Sequence, residues 1–401
     1  MTACIIMNRH SKHLKQLGIL FSLVLCVISN YSCSGGTNKF RLSEDCQQID
    51  SFKNLVLQVF LENSGSMNGY MIAGSEFKDA VYDLASALSS RCDTTELFFV
   101  NSMVSMYSQS LESFVRDMSP QLFQQFPGNR MNSDLADVIA QVIAKTDSNR
   151  ISMLVSDFIL DVPNGPVLSI KQTQVRNAVK RKIVNDKDFS VVILHLESKY
   201  SGKFNGMLQN LHRPYYIWLM GNKYLLGRLL AKEHPEDIQH GIRHQCAFTP
   251  DAPLACVIAS GAATKSLKSS SRRSAHFVEL KMDLCSTLQP QAYILSPVNY
   301  DTRGNNGITV EKVCQLAKAD SCFTHLITLK IPNRIKPCAD GLLLKAQTLP
   351  LWVDSINQDY VPIGKHIPDR TIGIRNLIQG VSDAYKEVSS CGHVDFTISA
   401  H

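Results

Sequence analysis

Past its first thirty residues the chain has no long apolar run. No later stretch approaches the roughly 18 consecutive apolar residues a membrane-crossing helix needs. Zinc-type motifs are missing too: there is no Cys-x-x-Cys and no His/Cys spacing of that kind. A strong charge of either sign is absent, with 41 Lys and Arg against 35 Asp and Glu, a formal +6. That balance argues against a dedicated nucleic-acid partner. The densest basic run, KSLKSSSRR from Lys265 to Arg273, sits in serine-rich sequence without aromatic residues and reads as a solvated loop. No internal repeat is visible.

What is present begins with an export pattern. Arg9, Lys12 and Lys15 precede the apolar run Leu17 to Ser29, and small residues then lead to Cys33 in SNYSCSGG. The ending resembles a bacterial lipoprotein cleavage site, which implies lipidation of Cys33 and a chain anchored in the cell envelope. The alternative is an ordinary secreted protein cut nearby. Residues 1–32 are thus expected to be a signal segment and 33–52 a tether. Losing residues 1–32 removes three basic residues and no acid, so the formal charge of +6 falls to +3. Exported cysteines can pair, and Cys314 with Cys322 is one candidate bridge.

Residues 53–232 alternate strand-length apolar runs with segments of helical period. The strands are LVLQVFL (55–61), ELFFV (96–100), ISMLVS (151–156), SVVILHL (190–196) and YYIWLM (215–220). Phe77, Ala80, Val81, Leu84, Ala85 and Leu88 keep one helical stripe, and Leu135, Val138, Ile139, Val142 and Ile143 another. The expected fold class is α/β, a doubly wound and mostly parallel sheet. Residues 233–252, with His234, His240 and His244, read as linker. Residues 253–401 read as a smaller β-rich domain with strands at 276–284, 292–298, 324–331, 341–349 and 393–399, and one late helix carrying Ile374, Leu377, Ile378, Val381, Ala384 and Tyr385 on one face.

In an open α/β sheet, ligands gather at the carboxyl ends of the strands. Glu62, Ser64 and Ser66 follow the first strand in FLENSGSMNGYM. Ser133 precedes a helix in NRMNSDL, and Asp157 ends the third strand in ISMLVSD. Two carboxylates and three hydroxyls at one point suit a hard divalent cation such as Mg²⁺, which prefers oxygen ligands and keeps waters.

These three segments resemble the metal-ion-dependent adhesion site of the von Willebrand factor type A domain. That family places Asp-x-Ser-x-Ser after the first strand, a Thr before a later helix and an Asp after a further strand. Here ENSGS stands in the first place, with Glu62 for Asp; Ser133 stands for Thr, and Asp157 is the last. The resemblance implies direct Mg²⁺ (or Mn²⁺) ligation by Ser64 and Ser66, with Ser133 direct or through water, and Glu62 and Asp157 supporting from behind. It implies a binding protein rather than an enzyme, taking a protein or glycan partner that offers a carboxylate. Asn68 and Tyr70 extend the same loop and are expected at the partner-binding rim. Two other readings stay open: a metal-free envelope scaffold in which the serines cap helices, and a serine hydrolase with Ser64 as nucleophile and His195 as base, although Gly-x-Ser-x-Gly is lacking.

Overall fold

The computed structural model describes residues 38–43, 52–131, 134–160, 165–204, 207–230, 241–267, 275–320, 323–359 and 369–400. The signal segment, Cys33 and Ser133 lie outside them. The chain runs through β1 (Asn38–Leu42), β2 (Val56–Glu62), α1 (Glu76–Ser89), β3 (Thr94–Val100), β4 (Val104–Tyr107), α2 (Leu111–Arg116), α3 (Pro120–Phe123), α4 (Leu135–Lys145), β5 (Arg150–Ser156) and α5 (Gly165–Asn185). It continues with β6 (Phe189–Phe204), β7 (Met207–Asn222), α6 (Lys223–Leu230) and β8 (His244–Phe248). Strands β2 to β8 form a seven-stranded sheet in the order β4-β3-β2-β5-β7-β6-β8.

This sheet overturns the expected doubly wound, mostly parallel α/β fold. Only the β2–β3 and β2–β5 pairs run parallel; β3–β4, β5–β7, β6–β7 and β6–β8 are antiparallel. The cause lies in residues 189–222. A parallel neighbour for β5 needs a crossover of a dozen or more residues, usually a helix. The stretch between the apolar runs of β6 and β7 is instead taken up by the two strands themselves, paired from Phe189↔Asn222 to Phe204↔Met207. The hairpin therefore returns directly, and β7 occupies the place beside β5. The assembly as a whole is dominated by strands in several antiparallel and mixed sheets.

Both faces of the seven-stranded sheet are covered. Leu57, Val59 and Leu61 of β2 pack with Phe77, Val81 and Leu84 of α1 and with Leu225 and Leu226 of α6. Phe60, Leu154 and Trp218 face the other way, toward Val138 and Ile139 of α4 and Val175 and Val179 of α5. Each such side chain, taken fully out of water, contributes about 1.5–3 kcal/mol.

The remaining chain adds β9 (Cys256–Ile258), β10 (Thr264–Leu267), β11 (His276–Met282), α7 (Gln291–Ile294), β12 (Tyr300–Thr302), β13 (Thr309–Asp320), β14 (Phe323–Ile331), β15 (Cys338–Lys345), α8 (Leu351–Ile356), β16 (Asn357–Gln358), β17 (Thr371–Ile372), α9 (Ile374–Ala384) and β18 (Ser390–Ser399). A five-stranded sheet, β10-β1-β18-β15-β12, and a four-stranded one, β13-β14-β11-β9, share one core that includes Phe40, Phe396, Leu280 and Leu329. Residues 38–42, read as tether, are thus a strand paired with β18 and β10.

Three local expectations are corrected. Residues 292–298 are not a strand but α7 and a following 3-10 turn, because Pro290 and Pro297 remove ladder donors and preset the helical turns. His244, read as linker, opens β8 at the edge of the large sheet. Cys314 carries a free thiol, and Cys322 lies outside the described residues. The late helix α9 packs on α5: Gln172 Nε2 donates to Asp383 Oδ2 at 2.8 Å and Asn376 Nδ2 to Gln172 Oε1 at 3.2 Å. A Cβ at Gly380 would lie 2.6 Å from Gln172 O, so only glycine allows that approach. Among the described residues no helix is long and apolar enough to cross a membrane.

Candidate functional site

The site grows from the parallel pairing of β2 with β5, in which Leu61 faces Val155. That register sets the ends of both strands side by side and brings Glu62 level with Ser156. Glu62 is 2% exposed, and its Oε2 accepts a hydrogen bond from Ser156 Oγ. The same hydroxyl oxygen accepts from Phe158 N at 2.8 Å. Glu62 thereby reaches across to hold the turn that carries Asp157. Its extra methylene relative to aspartate supplies the reach.

Beyond Glu62 the chain enters a loop fixed from three sides. Asn63 N donates to Val100 O at 3.0 Å, Asn63 Nδ2 to Phe123 O at 3.2 Å, and Asn101 Nδ2 to Asn63 Oδ1 at 3.0 Å. Gly65 N donates to Arg130 O at 2.9 Å, while Arg130 Nε donates to Asn63 O at 2.8 Å and its Nη2 to Asn68 Oδ1 at 3.0 Å. A Cβ on Gly128 would stand 1.9 Å from Asn101 Oδ1, and its φ of +106° lies in the left-handed region, so this neighbouring loop requires glycine.

Within that frame Ser64 Oγ and Ser66 Oγ lie 3.1 Å apart. Ser66 also lies close enough to the Asp157 carboxyl to oppose the rise in its pKa. The loop after β2 and the turn after β5 therefore meet, and Ser64, Ser66 and Asp157 share one location. Asp157 is 1% exposed; Ile159 N donates to its Oδ1 at 3.4 Å, whereas its Oδ2 is buried with no hydrogen-bond partner. Burial raises the Asp157 pKa, against the charge of Arg213 and the Ser66 hydroxyl, which lower it. Phe158, the next residue, sits at φ 50°, a left-handed conformation that is uncommon for a bulky side chain. Its ring stacks on Trp218 at 4.7 Å. Backbone strain of this kind costs on the order of 1–3 kcal/mol and persists where surroundings over-determine it.

Behind the site stands an aromatic wall. Tyr70, expected at the rim, is instead fully buried: its hydroxyl donates to Pro214 O at 2.6 Å, and its ring meets Tyr200 at 5.0 Å and Phe77 at 5.3 Å. Asn68, by contrast, is half-buried in the loop and held by Arg130. Arg213, 1% exposed, lies over the Tyr200 ring at 4.7 Å. His195 stacks with Tyr216 at 5.2 Å and His244 at 5.4 Å, and neither ring nitrogen has a hydrogen-bond partner. Burial first, then the charges of His244 and Arg243, pull its pKa down to about 3.

Reasoning on the sequence missed Asn63, Asn101, Arg130, Ser156 and Arg213. Arg130 and Ser156 lie inside the quoted segments NRMNSDL and ISMLVSD, but nothing in their own spacing reveals that they brace the loop. Among the described residues no group of three or more His, Cys, Asp and Glu side chains gathers as metal ligands. A cation here would rest on hydroxyls, one carboxyl and water, a donor set of hard oxygens that suits Mg²⁺ or Mn²⁺ rather than softer metals. In comparison with known proteins, no family model, curated protein or solved structure matches the chain.

Proposed function

We propose that the loop after β2 and the turn after β5 form a divalent-cation surface that binds a carboxylate offered by a protein or glycan partner. Ser64, Ser66 and Asp157 would hold Mg²⁺ or Mn²⁺, with Glu62 positioning the Asp157 turn through Ser156. Ser133, the remaining ligand expected from the sequence, lies outside the described residues. The cation would supply an electrophilic point for a partner's oxygen; no bond need be broken. On this reading the chain is exported, and Cys33 carries the lipid that keeps it in the cell envelope. The resemblance to the type A domain is retained here for its order of loop motifs, not for its sheet.

One observation carries the reading: Asp157 Oδ2 is buried without a partner in hydrogen-bonding geometry, while Ser66 lies near the same carboxyl and Ser64 Oγ stands 3.1 Å from Ser66 Oγ. A buried acceptor left unsatisfied costs about 1–3 kcal/mol, and more if charged. A cation would offset that cost. The test is calorimetric titration of Mg²⁺ and Mn²⁺ into wild type and Ser64→Ala/Ser66→Ala. Saturable heat in wild type that disappears in the double variant is expected. Equal silence from both, in folded protein, removes the metal.

A further inference from the structure

We infer that Arg130 is the second anchor for the partner's acidic group, a specificity-determining residue bonded to the loop of the candidate cation site, with one edge of its guanidinium unengaged among the described residues. The inference rests on the reading given under Proposed function, which it extends to a residue inside NRMNSDL that the sequence reading assigned no role. A guanidinium presents its donors in a fixed fork. The inner edge of Arg130 is taken: Nε donates to Asn63 O at 2.8 Å and Nη2 to Asn68 Oδ1 at 3.0 Å. Those bonds, and the 2.9 Å bond from Gly65 N to Arg130 O, lock the group to the loop bearing Ser64 and Ser66. No hydrogen bond or ion pair engages Nη1 among the described residues. The opposite edge, Nη1 with the second Nη2 hydrogen, therefore remains for a ligand.

This arrangement is costly unless it has a use. Arg130 is half-buried, its ring neighbour is Phe123 at 5.9 Å, and burial lowers its pKa with no carboxylate to counter it. A cation held beside a proposed cation site weakens metal binding by repulsion. Both charges become favourable together only when an anion lies between them. A carboxylate has two oxygens and can face a metal with one and a guanidinium edge with the other, and such charge-assisted contacts are short and strong.

The surroundings indicate what bears that carboxylate. Met131, next in the chain, is 87% exposed, and Met103 is 49% exposed in the turn tied to the same loop by Asn129 N donating to Ser102 Oγ at 2.7 Å. Exposed methionines give an adaptable apolar surface that repacks around varied side chains. The partner fitted by this surface is a protein segment with an acidic side chain flanked by large apolar ones.

The experiment uses the full chain and a fluorophore-labelled, end-capped peptide, Ala-Leu-Glu-Leu-Ala, with its Gln-for-Glu twin, read by anisotropy in millimolar Mg²⁺. Metal uptake is followed separately by calorimetry, and circular dichroism checks folding. Wild type is expected to bind the Glu peptide and not the twin. Arg130→Gln and Arg130→Lys are expected to weaken it by about tenfold or more, because a lysine lacks the bidentate edge, and Mg²⁺ titrated into each variant reports separately how far the loop that Arg130 braces still takes the cation. Arg130→Lys keeps a cation near Asn63 O, so it guards against mere loss of the loop. Glu-peptide binding to Arg130→Gln equal to wild type overturns the inference and leaves the metal reading standing. Arg130-dependent peptide binding with no Mg²⁺ uptake in wild type keeps Arg130 as the acid-binding residue but overturns the metal reading and the bridging of one carboxylate between the two. Folded wild type that ignores the peptide, or that binds inorganic phosphate more tightly than the peptide, overturns the assignment of the partner.

Discussion

Replacing Glu62 by Asp gives the residue the type A motif would have, and it is expected to damage this protein. The carboxylate is 2% exposed and accepts from Ser156 Oγ, which itself accepts from Phe158 N at 2.8 Å. Shortening the side chain by one methylene withdraws the acceptor and leaves both a buried hydroxyl and a buried carboxylate without their bond. The lost bond costs about 1–3 kcal/mol, and the missing methylene about 1 kcal/mol more. Urea denaturation at neutral pH of wild type, Glu62→Asp, Ser156→Ala and the double variant forms a cycle that isolates the pair. Glu62→Asp should lose about 2–4 kcal/mol, and most of that loss should vanish when Ser156 is already Ala. If the two substitutions add to within about 0.5 kcal/mol, Glu62 does not act through Ser156 and the positioning argument fails.

Other expectations are narrower. His195 is buried neutral with its pKa pulled from an ordinary 6.5 to about 3, so the unfolded chain takes up a proton that the folded chain refuses. The stability this contributes is present above pH 6.5 and is lost as pH falls toward 3, by about 1.4 kcal/mol per unit. Relative to His195→Phe, wild type should therefore lose about 2–3 kcal/mol by pH 4.5 in denaturation curves; parallel pH profiles refute it. Gly69→Ala should destabilise by about 1–3 kcal/mol, since its Cβ would lie 2.3 Å from the Tyr200 ring, over which Arg213 also packs. A melting temperature unchanged from wild type would show that the hairpin arm yields.

Parts of this molecule are readable from its residues and parts are not. The cores of β2, β3 and β5 stand out because they are apolar on both faces and end in polar breaks, and the stripes of α1 and α4 bury the residues their spacing marks. Strand direction carries no such mark. An apolar run reads the same in a parallel or an antiparallel neighbour, so the hairpin β6–β7 defeated the parallel sheet. The absence of a helical stripe between residues 197 and 214 was the available clue. The strand ends at 62 and 157 were legible for the same reason as the strands. Their supports were not: Asn63, Asn101 and Arg130 meet only because β2 and β3 end together and the loop at 127–130 folds back over both. Tyr70 illustrates the opposite error, since its place in a polar loop hides a ring that the β6–β7 arm buries.

The most direct test of the central claim is anomalous diffraction from crystals of the full chain soaked in Mn²⁺. The account predicts a single strong peak about 2.1 Å from oxygens of Ser64 and Ser66, the distance expected for a small octahedral cation, with Asp157 beside it. A well-ordered loop with no peak, or a peak bound elsewhere while these hydroxyls stay as they are, contradicts it.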